Sequence, residues 1–154
     1  MGDEKSNIRT FEDLRVWQLA RKIQNEIFEL VKKFPTEEKY RLTDQMIRSS
    51  RSISDNIAEG YGRFHYQEII QYCRQGRGSA YELKNQIITT FDFKYIDESE
   101  YKYHKNQLID CIQLLNGYIR YLKNAKNNAV NEDEIPYIYD DLDEEQNNHY
   151  TISQ

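Results

Sequence analysis

The sequence predicts an all-α fold: an antiparallel up-down-up-down four-helix bundle followed by a disordered acidic C-terminal tail. Three observations predict it. Apolar residues recur every three or four positions through four segments of about 23 residues each. No segment shows the every-second-residue alternation of a half-buried strand. The connections between segments are short, which sets consecutive helices side by side and antiparallel. The chain thus divides into a flexible N-terminus (1–10), the bundle (11–124) and the tail (125–154).

The first segment runs from Phe11 to Phe34, with Val16, Ala20, Ile23, Ile27, Leu30 and Phe34 on one stripe. Trp17, Phe28 and Val31 widen it. Pro35 ends this helix and pushes Phe34 out of helical geometry. Thr36 can then cap the second helix, with Glu37 and Glu38 in its first turn, where negative charge is favoured.

The second segment runs from Glu37 to Gly60 or Gly62. Leu42, Met46, Ser49, Ser50, Ile53, Ile57 and Gly60 fall on one face, and its small residues let a neighbouring helix come close. The third runs from Tyr66 to Phe91, with Tyr66, Ile69, Cys73, Gly76, Ala80, Leu83, Ile87 and Phe91 on its stripe. Gly76 and Gly78 each cost about 1 kcal/mol inside a helix, which points to tight packing on more than one side.

A turn follows, and Asp97 or Ser99 can cap the fourth helix. That helix runs to Asn124 on a stripe of Tyr101, His104, Leu108, Cys111, Leu115, Tyr118 and Leu122. Beyond it periodicity vanishes and Asn, Asp and Glu dominate, which predicts disorder. Ile135-Pro136-Tyr137-Ile138-Tyr139 is the apolar run in the tail, open either to docking on a partner or to staying disordered.

The charge is unevenly divided. All 21 Lys and Arg lie between Lys5 and Lys126, and residues 1–126 also carry 18 acidic residues, which leaves them a net +3. Residues 127–154 carry eight acids and no Lys or Arg, a net −8. Such a split accompanies either nucleic-acid binding or a self-screening tail. Mean hydropathy is −0.92, and no run of 18 apolar residues offers a membrane span. The polar start lacks the apolar core of a signal peptide. Cys73 and Cys111 sit on apolar stripes and read as reduced core thiols, so a cytoplasmic location is expected. Thirteen tyrosines exceed what one bundle core needs, and Trp17, Phe28 and Tyr72 lie off the main stripes. A subunit interface would use them.

Signatures of catalysis are missing. No glycine-rich phosphate loop occurs, and His65, His104 and His149 are isolated from other metal-ligand types. No cofactor or metal site is expected. One constellation stands out on the second helix. Arg41, Gln45, Arg48, Ser52, Asn56, Glu59 and Arg63 form a polar stripe beside the apolar face. It fits a solvated flank, a polar network between helices or subunits, or a phosphate-binding surface. Alternating acids and bases favour the network over phosphate. Asn56 should bond to a group on another helix, and Glu59 should pair with Arg63 or with an arginine across an interface. On the third helix Arg74, Arg77 and Tyr81 share a face with Ile70, an arrangement that suits nucleic acid or a protein partner.

These residues carry a family resemblance. Ser52-Ile53-Ser54-Asp55-Asn56-Ile57-Ala58-Glu59-Gly60, followed by Arg63, is similar to the signature of the four helix bundle protein family, also called large-subunit ribosomal RNA intervening-sequence proteins. Gly78-Ser79 with Glu82 resembles the family's Gly-Ser-x-x-Glu motif, and Phe11-Glu12-Asp13-Leu14 with Val16-Trp17 resembles its opening. Arg48-Ser49-Ser50 departs from it, since alanines are usual in the middle of that stretch. The resemblance implies ring-like homopentamers of four-helix protomers with no established enzymatic activity. It also implies kinship with the accessory protein of diversity-generating retroelements, a basic pentameric barrel that binds nucleic acid and a reverse transcriptase.

The expectation is therefore a non-enzymatic homo-oligomeric scaffold that binds RNA, DNA or a nucleoprotein. The rival is a protein-only assembly module. Expected structural motif residues are Ser52, Ile53, Asn56, Ile57, Glu59, Gly60, Gly78, Ser79 and Glu82. Expected partner contacts are Arg41, Arg48, Arg63, Arg74, Arg77 and Tyr81. The acidic tail is a candidate competitor for the same basic surface.

Overall fold

A computed structural model describes residues 8–129. Four helices carry the fold: α1 (Arg15–Leu30), α2 (Leu42–Tyr61), α3 (Tyr66–Asp92) and α4 (Glu98–Asn128). Each packs on two neighbours, α1 on α2 and α4, and α3 on α2 and α4. Bonds between helices give the antiparallel register. Ser49 meets Gln86 and Ser52 meets Ser79, so numbers rise along α2 as they fall along α3. Tyr103 meets Glu26 and Lys33 meets Glu100 in the same sense between α4 and α1. No strand occurs among the described residues.

The core is the sum of the periodic stripes. Val16, Ala20, Ile23 and Ile27 face Met46, Ile53 and Ile57, with Cys73, Leu83, Ile87, Leu108, Leu115 and Leu122 closing the other side, all buried. Fully burying one such aliphatic side chain contributes roughly 1.5–3 kcal/mol, so these stripes hold the bundle together. Among the stripe positions only Tyr101, His104 and Phe91 are half-exposed, where α3 and α4 approach their turn. Both cysteines are free and buried, and burial pushes each thiol up to about 12.

Several boundaries differ from the sequence reading, each for a local reason. Ile8 belongs to the core, and the Arg9 and Thr10 N–H groups donate to the Asp13 carboxylate at 2.8 and 3.1 Å. Residues 8–10 of the stretch expected to be flexible are thus bonded to the start of the bundle. Asp13 closes a separate 3-10 turn (Phe11–Asp13), and extended Leu14 divides it from α1. The far end of the expected first helix tightens into another 3-10 turn (Val31–Lys33), and Phe34 leaves it extended before Pro35.

Thr36 does not cap α2. It opens a 3-10 turn (Thr36–Glu38), and α2 starts at Leu42, where the Glu38 carboxylate accepts the Leu42 N–H at 3.1 Å. The acid expected inside the first turn thus does the capping from outside. At α4, Asp97 caps as expected, accepting the Glu100 N–H at 2.8 Å while Glu100 accepts that of Asp97 at 3.0 Å. This helix runs four residues past Asn124, to Asn128. Most of the acidic tail, including Ile135 to Tyr139, lies outside the described residues.

Gly62 caps the end of α2, as the range to Gly60 or Gly62 predicts. Among the described residues no glycine takes a left-handed conformation; in the turns after α2 and α3 that place falls to Phe64 (φ 53) and Lys94 (φ 62). Gly60 is a contact residue: a Cβ there would lie 2.8 Å from Tyr72 Cβ. At Gly76 it would lie 3.3 Å from the Ile53 carbonyl oxygen. These two positions bring α2 and α3 together. Gly78 is the exception, since a Cβ there meets nothing within 4 Å. Its tight-packing explanation therefore finds no partner among the described residues.

Candidate interaction face

Close approach of α2 and α3 puts their backbones near each other, and polar side chains along this seam must find partners. They do so in three groups. At the α2 start, Ser49 Oγ donates to Gln86 Oε1 at 2.6 Å, and Gln86 Nε2 donates onward to Glu82 at 3.3 Å. In the middle, Asn56 Nδ2 donates to Ser52 Oγ at 3.0 Å, the Ser52 and Ser79 hydroxyls share a bond of 2.8 Å, and Ser79 can donate to the Gln75 carbonyl at 3.2 Å. One direction of donation satisfies that whole chain. At the α2 end, Glu59 accepts from Arg63 and from Tyr72, both at 3.0 Å, while Arg63 donates to the Tyr72 oxygen at 2.8 Å. The Arg63 guanidinium also lies 5.3 Å from the centre of the Tyr72 ring. Its pKa is raised, first by the bond to Glu59.

The expected motif residues divide accordingly. Ile53, Ile57 and Gly60 are buried. Ser52, Asn56, Glu59, Ser79 and Glu82 line the seam and bond along or across it. The partner expected for Asn56 is corrected, because its amide donates to the carbonyl and hydroxyl of Ser52 on its own helix. Ser52 is the residue that crosses. Glu59 pairs with Arg63 as expected, and Tyr72 joins them. Serines stand where the resemblance leads one to expect alanines, and both hydroxyls are used: Ser49 reaches Gln86, and Ser50 donates to the Ile47 carbonyl at 2.9 Å.

The six expected partner contacts are not one patch. Arg48 pairs with Asp44 at 3.0 Å, and Arg63 belongs to the Glu59 group. Arg77 turns toward α4 and donates to Asn116 Oδ1 at 2.7 Å, which ties it into the bundle. Arg41, Arg74 and Tyr81 face solvent, Tyr81 at 53% exposure. Acids interleave with these bases along the face: Asp44, Asp55, Glu59 and Glu82. Gly78 lies between Arg74 and Tyr81, exposed and beside the Ser52–Ser79 bond. Two aromatics assigned to an interface have partners inside the chain. Trp17 packs edge-on against Phe11 at 5.2 Å, and Tyr72 joins the Glu59 group. Phe28 stays 47% exposed beneath Lys32.

Sequence reasoning missed the buried polar residues Gln86 and Thr90, and also Gln24, which accepts from Ser54 Oγ at 2.7 Å. Partners on distant segments carry no local signal. A second polar cluster lies between α1 and α4, in a groove of about 560 Å³ lined by Glu26, Lys33, Glu100, Tyr103 and His104 among others. Tyr103 donates to Glu26 at 2.7 Å, and Lys33 pairs with Glu100. Burial holds the His104 imidazolium below its ordinary pKa, partly offset by Glu26 and Glu100. Among the described residues no group of three or more His, Cys, Asp or Glu is placed to hold a metal. No helix there is long and apolar enough to cross a membrane.

A family model described as 23S rRNA-intervening sequence protein matches residues 12–117, from before α1 into the second half of α4. The chain belongs to this family. The matched range contains the seam with all its motif residues and excludes the acidic tail. Among solved structures, the chain is similar to a protein of unknown function from the S23 ribosomal protein family of Bacteroides thetaiotaomicron VPI-5482. The two share 23% identity and a TM-score of 0.64 over 68% of this chain and 95% of that one. That likeness supports the four-helix fold and nothing further. No curated protein matches the chain. For this member of the intervening-sequence family, the seam is where family motif and geometry coincide.

Proposed function

We propose that the protein is a non-enzymatic homo-oligomeric scaffold that assembles through the exposed side of the α2–α3 seam. Gly78 carries this reading. A glycine inside a helix costs about 1 kcal/mol relative to alanine, and among the described residues Gly78 has no contact that would need one. A second copy approaching here would need one. The surrounding chemistry suits a protein surface: exposed Tyr81 supplies contact area, and interleaved Arg74, Glu82, Asp55 and Arg48 are self-complementary in charge. Nothing in the seam points to catalysis. Its serine hydroxyls have no neighbouring base among their bonded partners, and both thiols are buried.

Nucleic-acid or nucleoprotein binding is a second reading, favoured by Arg41 and Arg74, which are exposed and take no ion pair among the described residues, and by the net +3 of residues 1–126. A ring would multiply that charge. Light scattering on the full chain tests the first reading, and a concentration-independent mass near 18.6 kDa overturns it. Titration of the assembled protein with single-stranded RNA at two salt concentrations tests the second. Phosphate contacts weaken steeply with salt. Binding that ignores salt, or none at micromolar protein, leaves protein-only assembly.

A further inference from the structure

One end of the bundle gathers the start of α1, the α2–α3 turn and the last turn of α4. Its surface there is aromatic. Phe11 packs against Trp17 at 5.2 Å and against Tyr61 at 6.3 Å, and Tyr61 meets Phe64 at 6.1 Å. Phe64 is held outward: its ring is 58% exposed and its backbone is left-handed at φ 53, unusual for a bulky residue. Phe64 thus carries a partly buried aromatic cluster out to the surface, where an apolar segment can pack on it. The assembly face described above runs along the side of the bundle and does not supply one.

We infer that the acidic tail of the same chain covers this end, its segment Ile135-Pro136-Tyr137-Ile138-Tyr139 lying across Phe11, Trp17 and Phe64. Three observations select this occupant. The first is position. α4 ends at Asn128 beside the strip, since Lys126, in its last turn, donates to Gln67 at 3.1 Å, three residues after Phe64. The second is length. Ile135 lies six residues beyond Ala129, a reach of about 20 Å in extended chain, and neighbouring helix axes are only about 8–10 Å apart. The third is charge. The apolar segment is flanked by Glu132, Asp133 and Glu134 on one side and Asp140 and Asp141 on the other. The strip is flanked by exposed Arg9, Arg15 and Lys123, with Glu12 and Asp13 between the first two, while Arg63 is already paired with Glu59. A second copy of this end would set those bases against their like. The docked tail would shield the end of the bundle whether or not the seam binds nucleic acid.

Trp17 is the sole tryptophan and lies in the strip, so its fluorescence reads the contact directly. The experiment compares emission and acrylamide quenching of the full chain with those of full-length Ile135→Ser/Ile138→Ser and of Phe64→Ala, far-UV circular dichroism confirming the helices. The expected result is a red-shifted emission and a quenching constant raised at least twofold in both variants, with the same change in the parent protein at 1 M salt in part. Identical quenching in parent and tail variant overturns the proposal. So does quenching that falls as protein concentration rises, which would mean docking between copies. Carbodiimide coupling of tail acids to Lys123, in protein refolded from mixed 15N-labelled and unlabelled chains, should join residues of one isotope only. Mixed-isotope products would assign the tail to a neighbouring subunit and overturn docking within the chain.

Discussion

Gly78→Ala separates the demands of the single chain from those of assembly. Within the chain the new methyl meets nothing within 4 Å, so it brings only helix propensity, a gain of about 1 kcal/mol. For a domain of this size that corresponds to a melting temperature higher by roughly 2–8 °C. The same methyl would push apart two copies that meet at Gly78, and a loss of about 1.4 kcal/mol weakens association tenfold. The expected phenotype is therefore opposed in sign: dissociated protein that melts higher, and oligomer that forms at higher concentration. Thermal melts at two protein concentrations, with light scattering at each, read both. Melting of the dissociated variant below its parent would refute the claim of open space at Gly78. Wild-type assembly that the substitution leaves unchanged would remove Gly78 from the interface.

The other glycines of the seam should behave differently. Gly60→Ala sets a methyl 2.8 Å from Tyr72 Cβ, and overpacking of this kind costs about 1–3 kcal/mol, to be seen as a lower denaturant midpoint. Ser52→Ala removes the bond to Ser79 and leaves the Asn56 amide only the Ser52 carbonyl, so a loss of about 1 kcal/mol is expected in denaturant melts. His104 gives a pH dependence. Its pKa in the fold is below the ordinary value, first through burial, so the fold favours the neutral ring. The resulting stability is complete above the ordinary value and declines as pH falls below it toward the folded one. His104→Gln should flatten the stability profile on the acid side of about pH 6.5, and an unaltered slope there would assign it to other groups. Cys73 and Cys111, both buried with thiols pushed up to about 12, should resist a thiol reagent in native protein and react fully in denaturant.

The bundle was legible because a helix face is a local property. Spacings of three and four residues put Ile23 with Ile27 and Ile53 with Ile57 in any context, and Asp97 with Glu100 forms its cap from four consecutive residues. Charge segregation along the sequence was equally local. Interruptions at Leu14 and Leu42 were less legible, since each depends on one carboxylate outcompeting a continuing helix for nearby N–H groups. Pairing across helices was not legible at all. That Ser52 crosses to Ser79, that Arg77 is drawn to Asn116, and that Gly76 touches α2 while Gly78 touches nothing follow from how two rigid helices are set against each other. Sequence alone determined the four amphipathic helices, their order and the motif residues they display. Only the tertiary structure decided which motif residues are bonded within the seam and which face outward, because contact between distant segments is set by axial register and depth of packing, neither of which a local sequence pattern encodes.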